Sequence, residues 1–393
     1  MKINCIIHES HIEPDNITNY KRKIKRRLSL RNQNLLDKMK VIQIMPEFGL
    51  AGAETMCENL SYELMRQGDD VVIISLYEYH SAITERLEKK GIKVFYLDKK
   101  PGLDFSMIGK MIKIFKSEKP DVIHTHRYVM QYAIPAAIIA GVKHRVHTVH
   151  NVAQKENTNV ARKANNLFYK FAHVIPVALS EEVQKTIVEE YHIDSKNIPI
   201  ILNGIDLSKC IVKTNYEVND YFNILHIGRF SEQKNHVGLI EAFSIFVKEH
   251  PNTILSLIGD GEKKEEIQQL VREKGISDKV KFLGIKSNVY SYLNKADVFI
   301  LPSIYEGVPM TLIEAMGTGL PIIATAVGGV PDMLRNDEEG LIVNCNVKEI
   351  ADAMDSLYID KKTREYLGKK ALKRSKIFSA ENMANEYKKT YLM

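Results

Sequence analysis

The feature that most constrains the fold is an alternation of short β-branched runs with helical stretches, which begins at residue 41. In the first half, strands are expected at 41–45, 71–76, 93–97, 121–124, 145–149, 173–178 and 199–202. Several of these runs are apolar without alternation, which is typical of strands buried on both faces of a parallel sheet. With helices between them, the runs predict an α/β fold built on a doubly wound parallel sheet.

The alternation stops over residues 203–221, a polar and irregular stretch that contains the turn pair Asn203-Gly204. It then restarts, with strands expected at 223–227, 254–258, 280–283, 298–301, 322–325 and 341–343. Two such sheets in tandem predict a bilobed protein with an interdomain cleft. We expect one Rossmann-like domain over 39–205, a second over 206–375, and a C-terminal helix within 376–393 that crosses back to the first domain.

The charge distribution argues against a nucleic-acid-binding protein. The formal net charge is +6, and the first 40 residues account for it with ten basic and four acidic side chains. The rest of the chain is balanced, whereas a nucleic-acid binder needs a basic stripe on its folded surface. No apolar run reaches the roughly 18 residues of a membrane span. The four cysteines are far apart and form no CxxC motif, which indicates reduced thiols and a cytoplasmic protein.

The basic N-terminal extension, residues 1–38, precedes the first expected strand and has three interpretations. It is an unstructured upstream start, a solvated tail or extra helix on the first lobe, or a membrane-surface anchor. The third rests on apolar residues at helical spacing within 17–36, flanked by lysines and arginines that anionic lipid attracts. This interpretation predicts a peripheral protein on the inner face of the cell membrane.

Ligands of doubly wound sheets bind at the carboxyl ends of the strands, so the residues after each strand are the candidates for a site. Gly49 and Gly52 follow the first strand and precede a helix whose free N–H groups could face an anion. Their spacing is not the GxGxxG of dinucleotide-binding proteins, and an ordinary tight turn explains them equally well.

Two cations follow the first strand of the second domain. Arg229 and Lys234 lie five residues apart after Gly228, an arrangement that suits a diphosphate. Arginine grips two oxygens and lysine adds a compact charge. Two solvated surface cations are the alternative interpretation of the same pattern.

Two glutamates flank the start of a later helix. Glu306 lies in a loop after the strand at 298–301, and Pro309 fits the first turn of the helix that follows. Glu314 lies about one turn into that helix, in otherwise apolar surroundings, where its carboxylate could accept hydrogen bonds from a vicinal diol. Surface acids would explain either glutamate alone, but less easily the two together with the glycine and proline between them.

Together these motifs resemble the retaining glycosyltransferases of family 4, which have the GT-B fold. The resemblance is carried by the segments EGVPMTLIEAMGTGLPIIAT, GRFSEQKN, Asn203-Gly204-Ile205-Asp206 and Gly259-Asp260-Gly261. It extends from about residue 41 to the C-terminus and is most specific in the second half. The first half resembles members that build exopolysaccharide or capsule repeat units.

The resemblance implies a role for each matching position. The implied catalytic residues are His126, Arg229, Lys234 and Glu306, with His124 as a possible exchange for His126. The implied donor-binding residues are Gly49, Gly52, Gly228, Arg229, Lys234, Glu306, Gly307, Val308, Pro309, Met310, Thr311, Leu312 and Glu314. In this assignment Arg229 and Lys234 contact the diphosphate, Glu306 contacts the transferred sugar, and Glu314 holds the ribose hydroxyls.

The implied activity is transfer of a sugar from a nucleotide-diphosphate sugar to a saccharide or polyprenyl-linked saccharide, with retention of configuration. A UDP-sugar is favoured over GDP-mannose, and no cofactor is expected. No Asp-x-Asp motif is present, so we expect the cations rather than a metal to stabilise the leaving group. The competing interpretation is a non-catalytic subunit that binds sugar nucleotides. An epimerase or phosphorylase of the same fold is less favoured, and the missing GxGxxG argues against an oxidoreductase.

Overall fold

The computed structural model of the protein describes residues 38–49, 52–150, 153–156 and 159–393. The basic segment 1–37, including the anchor expected at 17–36, lies outside the described residues. Within the described ranges, none of the helices combines the length and apolar character that a membrane crossing requires.

The first lobe is a parallel sheet covered by helices. Its strands are β1 (Lys40–Met45), β2 (Asp70–Ser75), β3 (Lys93–Tyr96), β4 (Val122–His126), β5 (His144–Val149) and β6 (Val174–Ala178). They lie in the order β3-β2-β1-β4-β5-β6. The helices are α1 (Gly52–Arg66), α2 (Ala82–Lys89), α3 (Ser106–Glu118), α4 (Met130–Ala140), α5 (Ala153–Glu156), α6 (Asn159–Phe171) and α7 (Glu181–Tyr191).

The second lobe repeats this architecture. Its strands are β7 (Phe222–Ile227), β8 (Thr253–Ile258), β9 (Val280–Gly284), β10 (Val298–Leu301), β11 (Ile322–Thr325) and β12 (Leu341–Val343). Their order is β12-β11-β10-β7-β8-β9, and every pairing is parallel. Its helices are α8 (His236–Glu249), α9 (Lys264–Glu273), α10 (Tyr290–Lys295), α11 (Met310–Thr318), α12 (Val330–Met333), α13 (Val347–Ile359) and α14 (Lys361–Ser375).

The last helix, α15 (Ala380–Tyr391), begins after Ser379, whose side chain caps it by accepting a hydrogen bond from the N–H of Asn382. It packs on α1 of the first lobe. Its buried face, with Met383, Tyr387 and Tyr391, joins an apolar cluster that runs from the first sheet into the second lobe. The helix therefore couples the end of the chain to the core of the first lobe.

One expected strand is absent. Residues 199–202 are not a strand, since they make one isolated bridge, between Ala178 and Ile200, and proline at 199 has no N–H to extend the pairing. The polar stretch 151–166 contains α5 and most of α6. Asn165 and Tyr169 are the buried residues among the described side chains of α6, whereas Leu167 and Phe171 are 58% and 75% exposed.

Short 3-10 helices complete the described secondary structure, at Arg127–Val129, Ser195–Asn197, Leu207–Lys209, Glu232–Lys234 and Lys376–Phe378. The first of these follows β4, the fourth lies in the turn after β7, and the third lies in the segment between β6 and β7. The segment between β6 and β7 contains no described strand, and it carries the chain from one lobe to the other.

Candidate active site

The site lies where the strand order of each sheet reverses. This occurs between β1 and β4 in the first sheet and between β7 and β10 in the second, and such switch points are where open α/β sheets bind ligands. The two edges approach each other closely. A Cβ placed on Gly52 would lie 3.9 Å from Cγ of Met310, and one on Gly307 would lie 3.9 Å from the carbonyl oxygen of His150.

The second lobe contributes a buried ion pair. Lys234 Nζ lies 2.5 Å from Glu306 Oε1, and their side chains are only 16% and 5% exposed. Ser303 Oγ donates to the same carboxylate oxygen at 2.6 Å. Gln233 Nε2 is 3.5 Å from the other oxygen, Oε2. The structure therefore brings together two residues that the sequence placed 72 positions apart, and it leaves Oε2 less tightly held than Oε1.

The turn after β7 holds Lys234 in this position. Asn235 has the left-handed φ of 51° that ends the 3-10 helix Glu232–Lys234. Its side chain accepts from the N–H of Gly238 and donates to the carbonyl of Pro302 at 3.0 Å. This asparagine caps α8 and at the same time ties the lysine turn to the segment that carries Glu306.

Glycines fix the loop that contains Glu306. Gly328 has a positive φ of 52°, and a Cβ on it would overlap the carbonyl oxygen of Glu306. The N–H of Gly329 donates to the carbonyl of Gly307 at 3.2 Å. Only glycine allows this approach without a clash. Neither residue was predicted from the sequence, although the Gly-Gly pair shortly after β11 was the available signal.

The side chain of Arg229 is exposed in the turn after β7. Its side chain is 74% exposed, and its Nη2 and Nε atoms both lie 3.1 Å from Glu262 Oε2. None of its described contacts is with Lys234 or Glu306. An exposed arginine on a flexible stem can turn toward an anion, and its surface ion pair with Glu262 contributes little to stability.

Glu314 lies on α11, beside the segment between the lobes. Burial raises the pKa of its carboxyl group to about 7, against the lowering effects of a hydrogen bond from Tyr290 and of the nearby Lys209 cation. The Sγ of Cys210 lies 4.0 Å from the carbonyl oxygen of Glu314. At neutral pH this carboxyl group is therefore poised between its protonated and ionised forms.

The start of α11 is only partly available to a ligand. The side chain of Leu312 is fully buried, and its N–H donates to the carbonyl of Pro309 at 3.1 Å. The carbonyl of Val308 accepts from Asn203 Nδ2 at 3.2 Å, which fastens the interlobe segment to this turn. The hydroxyl oxygen of Thr311 is buried with no hydrogen-bond partner among the described residues.

The first lobe contributes histidines. His126, the last residue of β4, is fully buried, and burial lowers the pKa of its ring well below the usual range. Its Nδ1 lies 2.9 Å from His150 Nε2, and its Nε2 lies 2.9 Å from Gln43 Oε1. Both ring nitrogens are thus engaged within the lobe. His150 directly follows β5, and its carbonyl oxygen lies beside Gly307.

His124 is buried in the first lobe, where its ring contacts Tyr387 and Tyr391 of the C-terminal helix. Its Nδ1 lies 2.8 Å from the hydroxyl of Tyr391, and its Nε2 lies 2.7 Å from Thr148 Oγ1. Burial lowers the pKa of this ring as well. The ring packs against the C-terminal helix, so His126 is the histidine of the pair that faces His150.

Gly52 begins α1, and the residue after Gly49 lies outside the described ranges. In the first turn of α1, Glu54 is buried and pairs with Arg127, whose Nη2 is 2.9 Å from Oε1. Burial raises the pKa of Glu54 despite this cation. Arg127 has a positive φ of 56° directly after His126. The ion pair therefore joins the glycine turn to the histidine strand.

One group of described residues has ligand atoms close enough to hold a metal, Glu249, His250 and Asp355. It lies between the end of α8 and α13, at the amino-terminal edge of the strands and thus away from the cleft. His250 Nε2 is 2.6 Å from Asp355 Oδ1. This group contributes to helix packing rather than to the site.

Comparison with known proteins agrees with this geometry. Residues 212–374 match the model of the glycosyl transferases group 1, and residues 50–209 match the model of glycosyltransferase family 4. The chain is 28% identical over 263 residues to the UDP-Gal:alpha-D-GlcNAc-diphosphoundecaprenol alpha-1,3-galactosyltransferase of Escherichia coli, covering 62% of this chain and 67% of that enzyme. It is 27% identical over 387 residues to the N-acetyl-alpha-D-glucosaminyl L-malate synthase of Bacillus anthracis, covering 90% and 97%.

A solved structure shows the same fold. Anabaena HepE, in complex with UDP and glucose, has a TM-score of 0.77 to this chain at 19% identity, covering 89% of this chain and 98% of HepE. The two six-stranded parallel sheets of this chain and its structural similarity to HepE confirm the predicted arrangement of two Rossmann-like domains.

Proposed function

Because the chain belongs to the glycosyltransferases of the GT-B type, which act in polysaccharide or glycolipid synthesis, we propose a specific reaction for it. It transfers a sugar from a UDP-sugar to a saccharide or polyprenyl-linked saccharide acceptor in surface polysaccharide synthesis. Transfer proceeds with retention and without a catalytic metal. The observation that carries this proposal is the buried Lys234–Glu306 pair at the second switch point, opposite the histidines of the first lobe.

The donor assignment rests on the chemistry of that pair. Breaking the bond between the sugar and the diphosphate places growing negative charge on the leaving phosphate. Lys234 supplies a fixed cation beside it, and such preorganised electrostatic stabilisation is often the largest contribution to catalysis. Among the described residues, Glu306 Oε2 has the long contact to Gln233 as its one hydrogen bond, and it is the oxygen available to a hydroxyl of the transferred sugar.

Arg229 completes the leaving-group site when its side chain turns from Glu262 to the diphosphate. Its side chain is largely exposed, and the partner it would give up, Glu262, is 56% exposed. Exchange of a weak surface pair for a diphosphate is favourable, because guanidinium binds phosphate oxygens bidentately. These two cations are the reason for proposing that the reaction needs no metal.

Retention is proposed through attack on the same face of the sugar, with the departing phosphate oxygen accepting the proton of the acceptor hydroxyl. A covalent intermediate would require a carboxylate at the first-lobe edge. Glu54, whose ion-pair partner Arg127 directly follows His126 in sequence, is buried and engaged with that arginine. Closure of the lobes would exclude water and so limit hydrolysis of the donor.

The donor and acceptor assignments follow the relatives. The Escherichia coli relative is named for UDP-Gal and a diphosphoundecaprenol-linked acceptor, and HepE was solved with UDP. Contact of residues 17–36 with an anionic membrane surface is proposed on charge alone. Such contact would bring the site to a polyprenyl-linked acceptor.

The first test is a screen of sugar nucleotides for thermal stabilisation, followed by assays for release of the nucleoside diphosphate. A donor at 100 times its dissociation constant should stabilise the protein by about 2.7 kcal/mol. We expect UDP release in the presence of chelator, an acceptor-dependent rate, and a product with the anomeric configuration of the donor by NMR. Tight donor binding without release or transfer would support the binding-subunit interpretation instead.

The second prediction concerns the pH dependence of donor binding. If the ionised carboxylate of Glu314 accepts the ribose hydroxyls, the donor dissociation constant should rise about tenfold for each pH unit below 7 and level off above it. Glu314→Gln should weaken binding and remove this dependence. Binding titrations from pH 5.5 to 8.5 measure the effect, and Glu365→Gln, at an exposed acid on α14, is the control.

The free energy of unfolding of the donor-free protein should show the opposite pH dependence. The carboxyl group of Glu314 keeps its proton to higher pH when folded than when unfolded, where its pKa is near 4.5. Its contribution to stability is therefore complete below pH 4.5 and is lost as pH rises through 7.

For the binding titrations, a donor affinity that is independent of pH in both the wild type and Glu314→Gln would contradict the role assigned to Glu314.

A further inference from the structure

A continuous chain of hydrogen bonds joins the C-terminal helix to the histidines at the cleft. The hydroxyl oxygen of Tyr391 lies 2.8 Å from His124 Nδ1, and Gln43 Nε2 donates to the same hydroxyl at 3.4 Å. Gln43 Oε1 is 2.9 Å from His126 Nε2, and His126 Nδ1 is 2.9 Å from His150 Nε2. The chain therefore connects residues 348 positions apart in sequence.

Gln43 is unusual for its position. It lies in the central strand β1 between apolar neighbours and is fully buried. Burial of an amide in such a place is costly unless its hydrogen bonds are made. The contacts to Tyr391 and His126 satisfy it at both ends, so the residue is explained by what it connects rather than by packing.

The direction of each hydrogen bond follows from the atoms. With its Nε2 toward Tyr391, Gln43 presents to His126 only a carbonyl oxygen, which cannot donate. His126 Nε2 must then carry the proton. Since His126 is neutral when buried, its Nδ1 is an acceptor, and His150 Nε2 must donate to it. The Tyr391 hydroxyl accepts from the Gln43 amide and so has its own proton available for donation to His124 Nδ1.

We propose that Gln43 and Tyr391 are positioning residues for sugar transfer, which fix His126 as its Nε2–H tautomer and thereby orient the ring of His150 toward the cleft. Their effect on rate rests on the proposed function, whereas their effect on the tautomer does not. His150 is the histidine concerned, because its carbonyl group lies beside Gly307 in the sugar-binding loop of the other lobe. Its ring Nε2 lies 2.9 Å from His126 Nδ1.

The hydroxyl of Tyr391 is the key atom. Without it the Gln43 amide has no partner at that end in either orientation, so the preference is lost and the amide can also present its NH2 group to His126, which allows the Nδ1–H tautomer. The hydrogen bond to His150 would then reverse. The donor is held by the second lobe, so the loss should appear in kcat rather than in the KM for the donor.

The test uses the full chain with Tyr391→Phe and, as a second variant, Gln43→Met. The matched control is Tyr387→Phe, on the same buried face of α15, whose hydroxyl contacts Thr148 at 2.7 Å and not Gln43. Nitrogen-15 NMR of labelled histidine reports the tautomer of His126. Steady-state kinetics reports kcat and KM separately.

We expect the Nε2–H tautomer of His126 in the wild type and in Tyr387→Phe, and its loss in the other two variants. We also expect about a tenfold fall in kcat for Tyr391→Phe, the usual size of one hydrogen bond, with donor KM unchanged. A folded Tyr391→Phe or Gln43→Met protein with the wild-type tautomer and kcat would overturn the proposal. Absence of sugar transfer in the wild type would refute the proposed function, and the NMR result would still decide the tautomer.

Discussion

Replacement of Lys234 by alanine should lower kcat for sugar transfer about a thousandfold, because it removes the fixed cation beside the departing diphosphate. The lysine is 16% exposed and its ammonium group is anchored on Glu306, so water cannot replace the charge in the same position. Release of the nucleoside diphosphate under saturating donor measures the effect. Lys263→Ala, which removes a lysine from a surface pair with Glu266, is the control and should retain its rate.

The structural consequence of this change has to be separated from the catalytic one. Lys234→Ala leaves Glu306, which is 5% exposed, as an unpaired buried carboxylate, and breaking such a pair costs about 3–5 kcal/mol. The double variant Lys234→Ala/Glu306→Gln removes the unpaired charge. We expect it to recover stability but not activity, as followed by chemical denaturation and donor turnover.

A different outcome would change the assignment. If the double variant regains most of the wild-type rate, Lys234 acts only by neutralising Glu306, and the leaving group is stabilised elsewhere. Arg229 would then be the main cation. Arg229→Ala separates the two cases, because its exposed side chain can be removed without disturbing the core.

The sequence was most informative where local pattern and global fold agree. The strands of both sheets were predicted nearly to their ends because parallel strands buried on both faces give uninterrupted apolar runs. The second-lobe motifs located Lys234, Glu306 and Glu314 because all three follow strands of one sheet. The side-chain direction of Arg229 was not predictable, since it follows from an ion pair with Glu262, which lies 33 positions away in sequence.

The first-lobe site shows the limit of local pattern. The family resemblance pointed to His126, but no sequence pattern shows that both of its ring nitrogens are engaged inside the lobe. That result depends on Tyr391, near the opposite end of the chain. The visible signal was a glutamine in the middle of an apolar strand, and its partners could be identified only after folding.

The last prediction concerns the buried ion pair that holds α15 on the first lobe. Lys388 Nζ lies 2.9 Å from Asp69 Oδ2, with the side chains 5% and 1% exposed, and Asp69 Oδ1 accepts from the N–H of Met39 at 3.0 Å. Lys388→Ala should destabilise the protein by about 3 kcal/mol in chemical denaturation, because it leaves the carboxylate buried without its cation.

The neighbouring Lys389 provides the control. It pairs with Glu386 on the surface, with both side chains more than half exposed, so Lys389→Ala should cost less than about 1 kcal/mol. The double variant Lys388→Met/Asp69→Asn should recover most of the loss, since an amide can still accept from Met39 and no charge stays buried. A loss in Lys388→Ala as small as that of the control would mean that α15 is held by its apolar face alone. In that case Tyr387, Tyr391 and Met383 would determine how firmly the hydrogen-bond chain to His126 is anchored.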